Sequence, residues 1–361
     1  MSELETTSLR GTNQSSNRNI SRKKFLQICQ SVVAGGSILG VSGFILRKNH
    51  ILKKDGLAGN ALAFENRVGG RSDPFISPYR FISSFSVAGP IESFDMAGEN
   101  LLIATSNHLY LYDRSGSLLH TFSIRNNLRD IATDQEHIYL LFPARIEVYN
   151  HDGVWLRQWE AMSETSDFCS MTVGSNALFV TDAGDKHICK FTTEGDFVKI
   201  IKSPDGFVIP SYTFGITCSD GILYCSNSGR HRIEKYSFDG DYLGSFGKAG
   251  DAEGMFCGCC NPVHLTHTAS GEIITSEKGI PRISCYGKNG EFRCMLLDSK
   301  ALGGGNTACE VKIHNNRLFV AAKNLLSTFQ YDSTFAANSA CAHCSTTCSF
   351  IGNSPAGTAL Y

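Results

Sequence analysis

The sequence predicts an all-β chain folded as a six-bladed β-propeller. Three observations carry this. An aromatic residue is followed four positions later by glycine five times: Tyr112 and Gly116, Tyr149 and Gly153, Phe191 and Gly195, Tyr236 and Gly240, Tyr286 and Gly290. The glycines lie 37, 42, 45 and 50 residues apart, a period near forty that marks propeller blades. Each period also reads as short apolar strands joined by small polar turns.

The fourth period shows the unit most plainly. Phe214-Gly215-Ile216-Thr217 enters as the innermost strand, and the turn Ser219-Asp220-Gly221 leads to Ile222-Leu223-Tyr224-Cys225. Arg232-Ile233-Glu234-Lys235-Tyr236 follows, then the turn at Asp239-Gly240, then Tyr242-Leu243-Gly244-Ser245-Phe246. The recurring glycine supplies the positive φ that closes the third hairpin. Six inner hairpins are expected to begin near residues 91, 128, 168, 214, 263 and 309. The sixth unit lacks a fourth strand of its own. Tyr79–Phe85 is expected to supply it from the N-terminal side, so that the ring closes without an exposed sheet edge.

Around this propeller, at residues 76–335, the chain divides into a polar segment 1–20 expected to be disordered, a segment 21–48, a linker 49–75 and a cysteine-rich tail 336–361. The run Phe25–Leu46 is apolar, long enough for an export or membrane-anchor helix, and flanked by basic residues on both sides. Ala61-Leu62-Ala63 offers a cleavage site, though far beyond the run, so an uncleaved anchor stays open. Basic and acidic residues balance, 33 against 34, with no basic stripe interleaved with aromatics, which argues against nucleic-acid binding.

Fourteen cysteines are unusual for such a chain. One cluster is Cys257-Gly258-Cys259-Cys260-Asn261-Pro262-Val263-His264, in the loop entering the fifth inner strand. Aligning inner strands through their second-strand partners matches His264 with Cys169, Cys309, Glu92 and Arg129. Innermost strands surround the axis. Cys169, Cys259, Cys260, His264 and Cys309 are therefore expected to converge at one channel mouth, with Cys257 beside them. Thiolates with an imidazole suit zinc, copper(I) or an iron–sulfur cluster. A second cluster, Cys341, Cys344 and Cys348, has a C-x₂-C-x₃-C spacing that lets three sulfurs face one centre. Disulfides are the competing reading outside the cytoplasm. Cys285 and Cys294 flank the Asn289-Gly290 turn, but a three-residue loop with a glycine bulge would offset them by one and point them apart, so no bond is expected there. Cys218 and Cys225 lie diagonally on one face. Cys189 reads as a strand filler. Trp155 and Trp159 read as packing on the outer strand of blade two.

The stretch from Asn227-Ser228-Gly229-Arg230-His231-Arg232 to Asp239-Gly240, continuing through Phe246-Gly247 to Phe256, resembles the NHL repeat. That resemblance implies a propeller, often of six blades, and gives His231 and Arg232 a structural role. Glu277-Lys278-Gly279-Ile280-Pro281-Arg282 occupies the same turn in blade five. Ser21-Arg22-Lys23-Lys24-Phe25-Leu26-Gln27 resembles a twin-arginine export signal, with Lys23 and Gln27 departing from the usual pattern. It implies an extracytoplasmic location, periplasm or cell surface, and a route that carries folded, cofactor-loaded proteins.

No Gly-x-Ser-x-Gly elbow, phosphate loop or dinucleotide fingerprint occurs. The first functional reading is a binding or scaffold propeller that carries a Cys-ligated metal or cluster and meets a protein partner at the membrane. Peptide-amidating lyases are similar in fold and hold channel zinc through histidines. Here Cys169, His264 and Cys309 stand in those places, so a channel-mouth metalloenzyme is a second reading. A disulfide-stapled binder, or a calcium-dependent propeller using Glu92, are others.

Overall fold

A computed structural model describes residues 77–113 and 115–332. The expected export segment, linker and cysteine tail, with Cys341, Cys344 and Cys348, lie outside the described residues. Among the described residues no helix is long and apolar enough to cross a membrane.

Among the described residues, twenty-four strands form six four-stranded antiparallel sheets. β1 (Tyr79–Ser86) precedes blade one, which runs β2 (Ser93–Ala97), β3 (Asn100–Ala104), β4 (His108–Tyr112) and β5 (Leu118–Ser123). Blade two is β6 (Asp130–Thr133), β7 (His137–Phe142), β8 (Arg145–Asn150) and β9 (Trp155–Glu160). Blade three is β10 (Phe168–Gly174), β11 (Ala177–Asp182), β12 (His187–Thr192) and β13 (Phe197–Ile201). Blade four is β14 (Ile216–Ser219), β15 (Ile222–Asn227), β16 (Arg232–Ser237) and β17 (Tyr242–Phe246). Blade five is β18 (His264–His267), β19 (Ile273–Glu277), β20 (Arg282–Tyr286) and β21 (Phe292–Leu297). Blade six is β22 (Glu310–His314), β23 (Arg317–Ala322) and β24 (Leu325–Tyr331), and β1 completes it by pairing with β24 from Tyr79↔Tyr331 to Ser86↔Leu325. The donated strand is thus where the sequence places it.

The second strand of each blade is buried on both faces, which is why these strands read as continuous apolar runs. Alternate residues serve different neighbours. In β11, Phe179 joins the core shared with blade four, whereas Leu178 and Val180 join the core shared with blade two. Six such cores fill the six seams between blades, so the ring is held by apolar packing between sheets. The outermost strands face solvent: Trp155 is exposed, while Trp159 turns inward against the core between blades two and three.

The five recurring glycines all have positive φ, from 77° to 103°. Each closes a hairpin whose register slips at the preceding aromatic residue, the expected glycine bulge. One consequence was misjudged in the sequence. The extra residue in blade five is Arg293, between Tyr286↔Phe292 and Cys285↔Cys294. The bulge therefore restores the pairing one step further in, and Cys285 and Cys294 stand directly opposite rather than offset, although, as expected, no bond joins them in the structure. Cys218 and Cys225 are diagonal, as read, with partners Leu223 and Ile216.

The turns after the second strands carry buried polar networks. Arg232 bonds Glu234 at 2.6 Å, and Asn227 bonds the same carboxylate at 2.7 Å. Arg282 bonds Glu277 at 2.9 Å, and Arg145 bonds Glu147 at 2.8 Å. Each guanidinium satisfies a carboxylate that is buried away from water.

Candidate functional site

The inner strands meet around the axis, and a cavity of about 240 Å³ opens at the end where they begin. Register decides which residues share a height. His264 pairs with Ser276, and the matching pairs are Ser93↔Ala104, Asp130↔Leu141, Ser170↔Thr181 and Glu310↔Ala321. The level of His264 thus carries Ser93, Asp130, Ser170 and Glu310. Cys169, Cys309, Glu92 and Arg129 each sit one residue earlier. In blade three a bulge between Phe168 and Ser170 also leaves Cys169 without a strand partner.

A polar network crosses the blade seams at this level. Asp130 of blade two accepts from Ser170 Oγ at 2.7 Å and Met171 N at 2.9 Å, both on blade three. Ser93 Oγ of blade one lies 3.1 Å from Asp130 Oδ1 and 2.9 Å from Glu310 Oε1 of blade six. Burial, reinforced by Asp130, pushes the Glu310 carboxyl up to about 8. Lys312 lies 3.9 Å from Asp95. Burial disfavours its ammonium, but Asp95, Asp130 and Glu310 outweigh that and hold its pKa above the usual lysine range. Burial lowers the His264 imidazole to about 4, so it is neutral near pH 7.

The sequence-predicted ligands divide. Cys169 and His264 both line the cavity. The Cys169 thiol donates to Asp167 O at 3.5 Å, and burial pushes it up to about 12, so it stays protonated. Cys309 is in the apolar core between blades five and six. Cys257 is buried beside Lys278 O, at 3.6 Å.

Cys259 and Cys260 form a pair of their own. Their sulfurs are 3.0 Å apart; Cys259 is exposed and Cys260 buried. Cys260 lies 3.8 Å from Ser211, a residue of the cavity rim. Burial works against its ionisation, yet the Cys259 thiol, Lys278 and Ser211 together hold its pKa below the usual thiol value. The Cys259 pKa is raised in turn, first by its bond to Cys260. The contact thus moves the two thiols in opposite directions, and Cys260 is the more readily ionised of the pair. The loop is built to keep them there. Buried Asn261 donates to Cys257 O at 2.6 Å and Lys278 O at 2.8 Å, and accepts from Lys278 N at 2.9 Å. The His231 ring, at the turn of blade four, bonds Gly258 O.

Sequence reasoning missed Asp95, Asp130, Glu310 and Lys312. The signal was present, since Asp130 and Glu310 directly follow Arg129 and Cys309, but the alignment stood one residue off. Among the described residues, one group of three potential metal ligands gathers: Asp182, His187 and Cys189 of blade three. None of the sequence-predicted ligands belongs to it.

No family model matches the chain, and no curated protein matches it. Solved propellers do. A catalytically inactive virginiamycin B lyase from Staphylococcus aureus, with quinupristin, is similar at 17% identity over 66% of this chain and 80% of that one, with a TM-score of 0.50. A protein of unknown function from Bacteroides thetaiotaomicron is similar at 11% identity over 70% and 74%, with a TM-score of 0.52. At these identities the likeness shows the fold, a six-bladed propeller. That fold serves binding and scaffold modules, including protein-interaction domains, as well as enzymes.

Proposed function

We propose that the chain is an exported, NHL-type binding propeller that holds a thiophilic metal centre on the Cys259–Cys260 loop at the channel mouth. The observation that carries this reading is the pair itself, with two sulfurs 3.0 Å apart and Cys260 held below the usual thiol pKa. The thiolate is the ligand form of cysteine, and a thiol of lowered pKa gives up its proton more readily to a metal. Soft thiolate donors select zinc, copper(I) or iron in a cluster. Cys341, Cys344 and Cys348 supply further thiolates in this reading, in a spacing suited to one centre.

The export-type N-terminus supports an extracytoplasmic location. The acidic mouth supports docking of a partner at the membrane. Glu92 and Asp130 face the cavity, while its cations Arg129 and Lys312 are engaged by Asp167 at 3.3 Å and Asp95 at 3.9 Å. A partner segment bearing lysine or arginine fits that charge.

Metal and acid-labile sulfide analysis of natively exported protein, purified without oxygen, tests the proposal. Bound metal that is lost with the Cys341→Ser, Cys344→Ser, Cys348→Ser variant places the tail in the ligand set. Metal-free protein with its cysteines in disulfides overturns the reading.

A further inference from the structure

Blade three departs from its neighbours at the turn after the second strand. In blades four and five the corresponding register pairs are Asn227↔Arg232 and Glu277↔Arg282, and an arginine there bonds a buried carboxylate. In blade two Arg145, opposite Phe142, does the same for Glu147. In blade three the pair is Asp182↔His187, and the residue two further on is Cys189. A carboxylate remains, but an imidazole and a thiol replace the guanidinium.

Side chains two apart on a strand share a face, and Asp182 is directly opposite His187. The three side chains accordingly meet, with one ligand atom from each within 4.8 Å of the others. All three are buried, Asp182 completely. The two carboxylate oxygens differ. Oδ1 accepts from Asp167 N at 2.9 Å, Gly184 N at 2.9 Å and Asp185 N at 3.2 Å. Oδ2 is buried and has no hydrogen-bond partner. An unsatisfied carboxylate oxygen in a closed site is costly, and blades two, four and five meet that need with a cation. The backbone bonds to Oδ1 fix the carboxyl so that Oδ2 is presented to His187 and Cys189.

We propose that Asp182, His187 and Cys189 form a second metal site, specific for a borderline divalent ion of the zinc type. Oxygen, nitrogen and sulfur donors together suit zinc(II). Tetrahedral bonds of about 2.0–2.3 Å set ligand atoms about 3.3–3.7 Å apart, which small side-chain adjustments reach from the observed grouping. The ion stands where the arginine of blades two, four and five stands, so it is structural. It clamps the β11–β12 turn and neutralises Asp182. The turn between the two strands is partly exposed at Gly184, Asp185 and Lys186, which leaves the site a route to solvent. Binding displaces the Cys189 proton to solvent and leaves the imidazole neutral.

The site shares no residue with the Cys259–Cys260 loop, so the two assignments fail separately. The test uses the full-length chain with Cys259, Cys260, Cys341, Cys344 and Cys348 replaced by serine, titrated with zinc(II) and, in parallel, cobalt(II). One equivalent of zinc should bind, raise the melting temperature, and give cobalt the absorption of a four-coordinate site with one thiolate. Cys189→Ser or His187→Gln in that background should weaken zinc binding at least about 100-fold, since even supporting residues of metal sites cost 10–100-fold. Should the five-serine chain not fold, the same substitutions in the otherwise unaltered chain should lower bound zinc by one equivalent. A folded five-serine chain that binds no zinc overturns the site. So does a Cys189→Ser variant that keeps its zinc and its cobalt thiolate band.

Discussion

Asp130 of blade two and Glu310 of blade six converge on one hydroxyl, Ser93 Oγ, at 3.1 and 2.9 Å. A serine hydroxyl has one proton to donate, so two ionised carboxylates cannot both be satisfied there. The conflict falls on Glu310, whose Oε1 accepts from Ser93 Oγ and Phe94 N and whose carboxyl is pushed up to about 8 by burial, reinforced by Asp130. The closure seam of the ring is thereby tied to blades one, two and three by a single shared network.

A pH dependence follows from Glu310. Its carboxyl normally ionises at 4.5, and in the folded chain it is pushed up to about 8. Between these values the folded state binds the extra proton, so stability falls as pH rises through that window and the contribution is gone above it. Glu310→Gln mimics the protonated acid. It should flatten the slope and leave the variant more stable than the parent at pH 9, by on the order of 1–3 kcal/mol. Urea denaturation at pH 5, 7 and 9 reads this. Parallel slopes in the two proteins would show that Glu310 is ionised throughout.

The reactivity of Cys260 depends on Lys278, whose ammonium helps hold the thiol below its usual value. Lys278→Ala should move the midpoint of Cys260 alkylation by iodoacetamide upward, by up to about one pH unit. Mass spectrometry separates Cys260 from Cys259. An unmoved midpoint would assign the lowering to Cys259 and Ser211 without Lys278.

Cys285 and Cys294 are directly opposite across β20 and β21. Opposite residues in antiparallel strands have Cα atoms about 4.5–5.5 Å apart, inside the range a disulfide spans. Oxidised glutathione should therefore link them, giving one cross-linked peptide in a nonreducing digest. Recovery of both as separately alkylated peptides would contradict this.

Arg282 is buried, pairs with Glu277 at 2.9 Å and also bonds Asp251 O at 3.1 Å. Arg282→Ala leaves the fully buried Glu277 uncompensated. It should cost about 3–5 kcal/mol in urea denaturation, the usual effect of breaking a buried pair. A loss under about 1 kcal/mol would mean the pair is solvent-screened, as surface pairs are.

Much of the fold was legible because it repeats. The glycine turns after Tyr112, Tyr149, Phe191, Tyr236 and Tyr286 fix the blades, and the orphan strand at Tyr79–Phe85 fixes the closure. The site was less legible because it is made between blades. Ser93 and Glu310 are 217 residues apart, and no local period links them. The first hairpin of blade five, from His264 to Ser276, is one residue longer than its counterparts, which set Cys169, Cys309, Glu92 and Arg129 against His264 in place of Ser170, Glu310, Ser93 and Asp130. The Cys285–Cys294 register failed for a similar reason, since the position of Arg293 cannot be read from turn type alone. Cys189 looked like a filler until its register brought it to the face shared by Asp182 and His187.

The measurement that bears most directly on the proposed function is the metal content of the Cys259→Ser, Cys260→Ser variant, exported natively and purified without oxygen beside the parent. The account predicts that the parent carries a thiolate-bound metal at the channel mouth and that the folded variant loses it, while any metal at Asp182, His187 and Cys189 remains. A folded variant with the full metal content of the parent would contradict it.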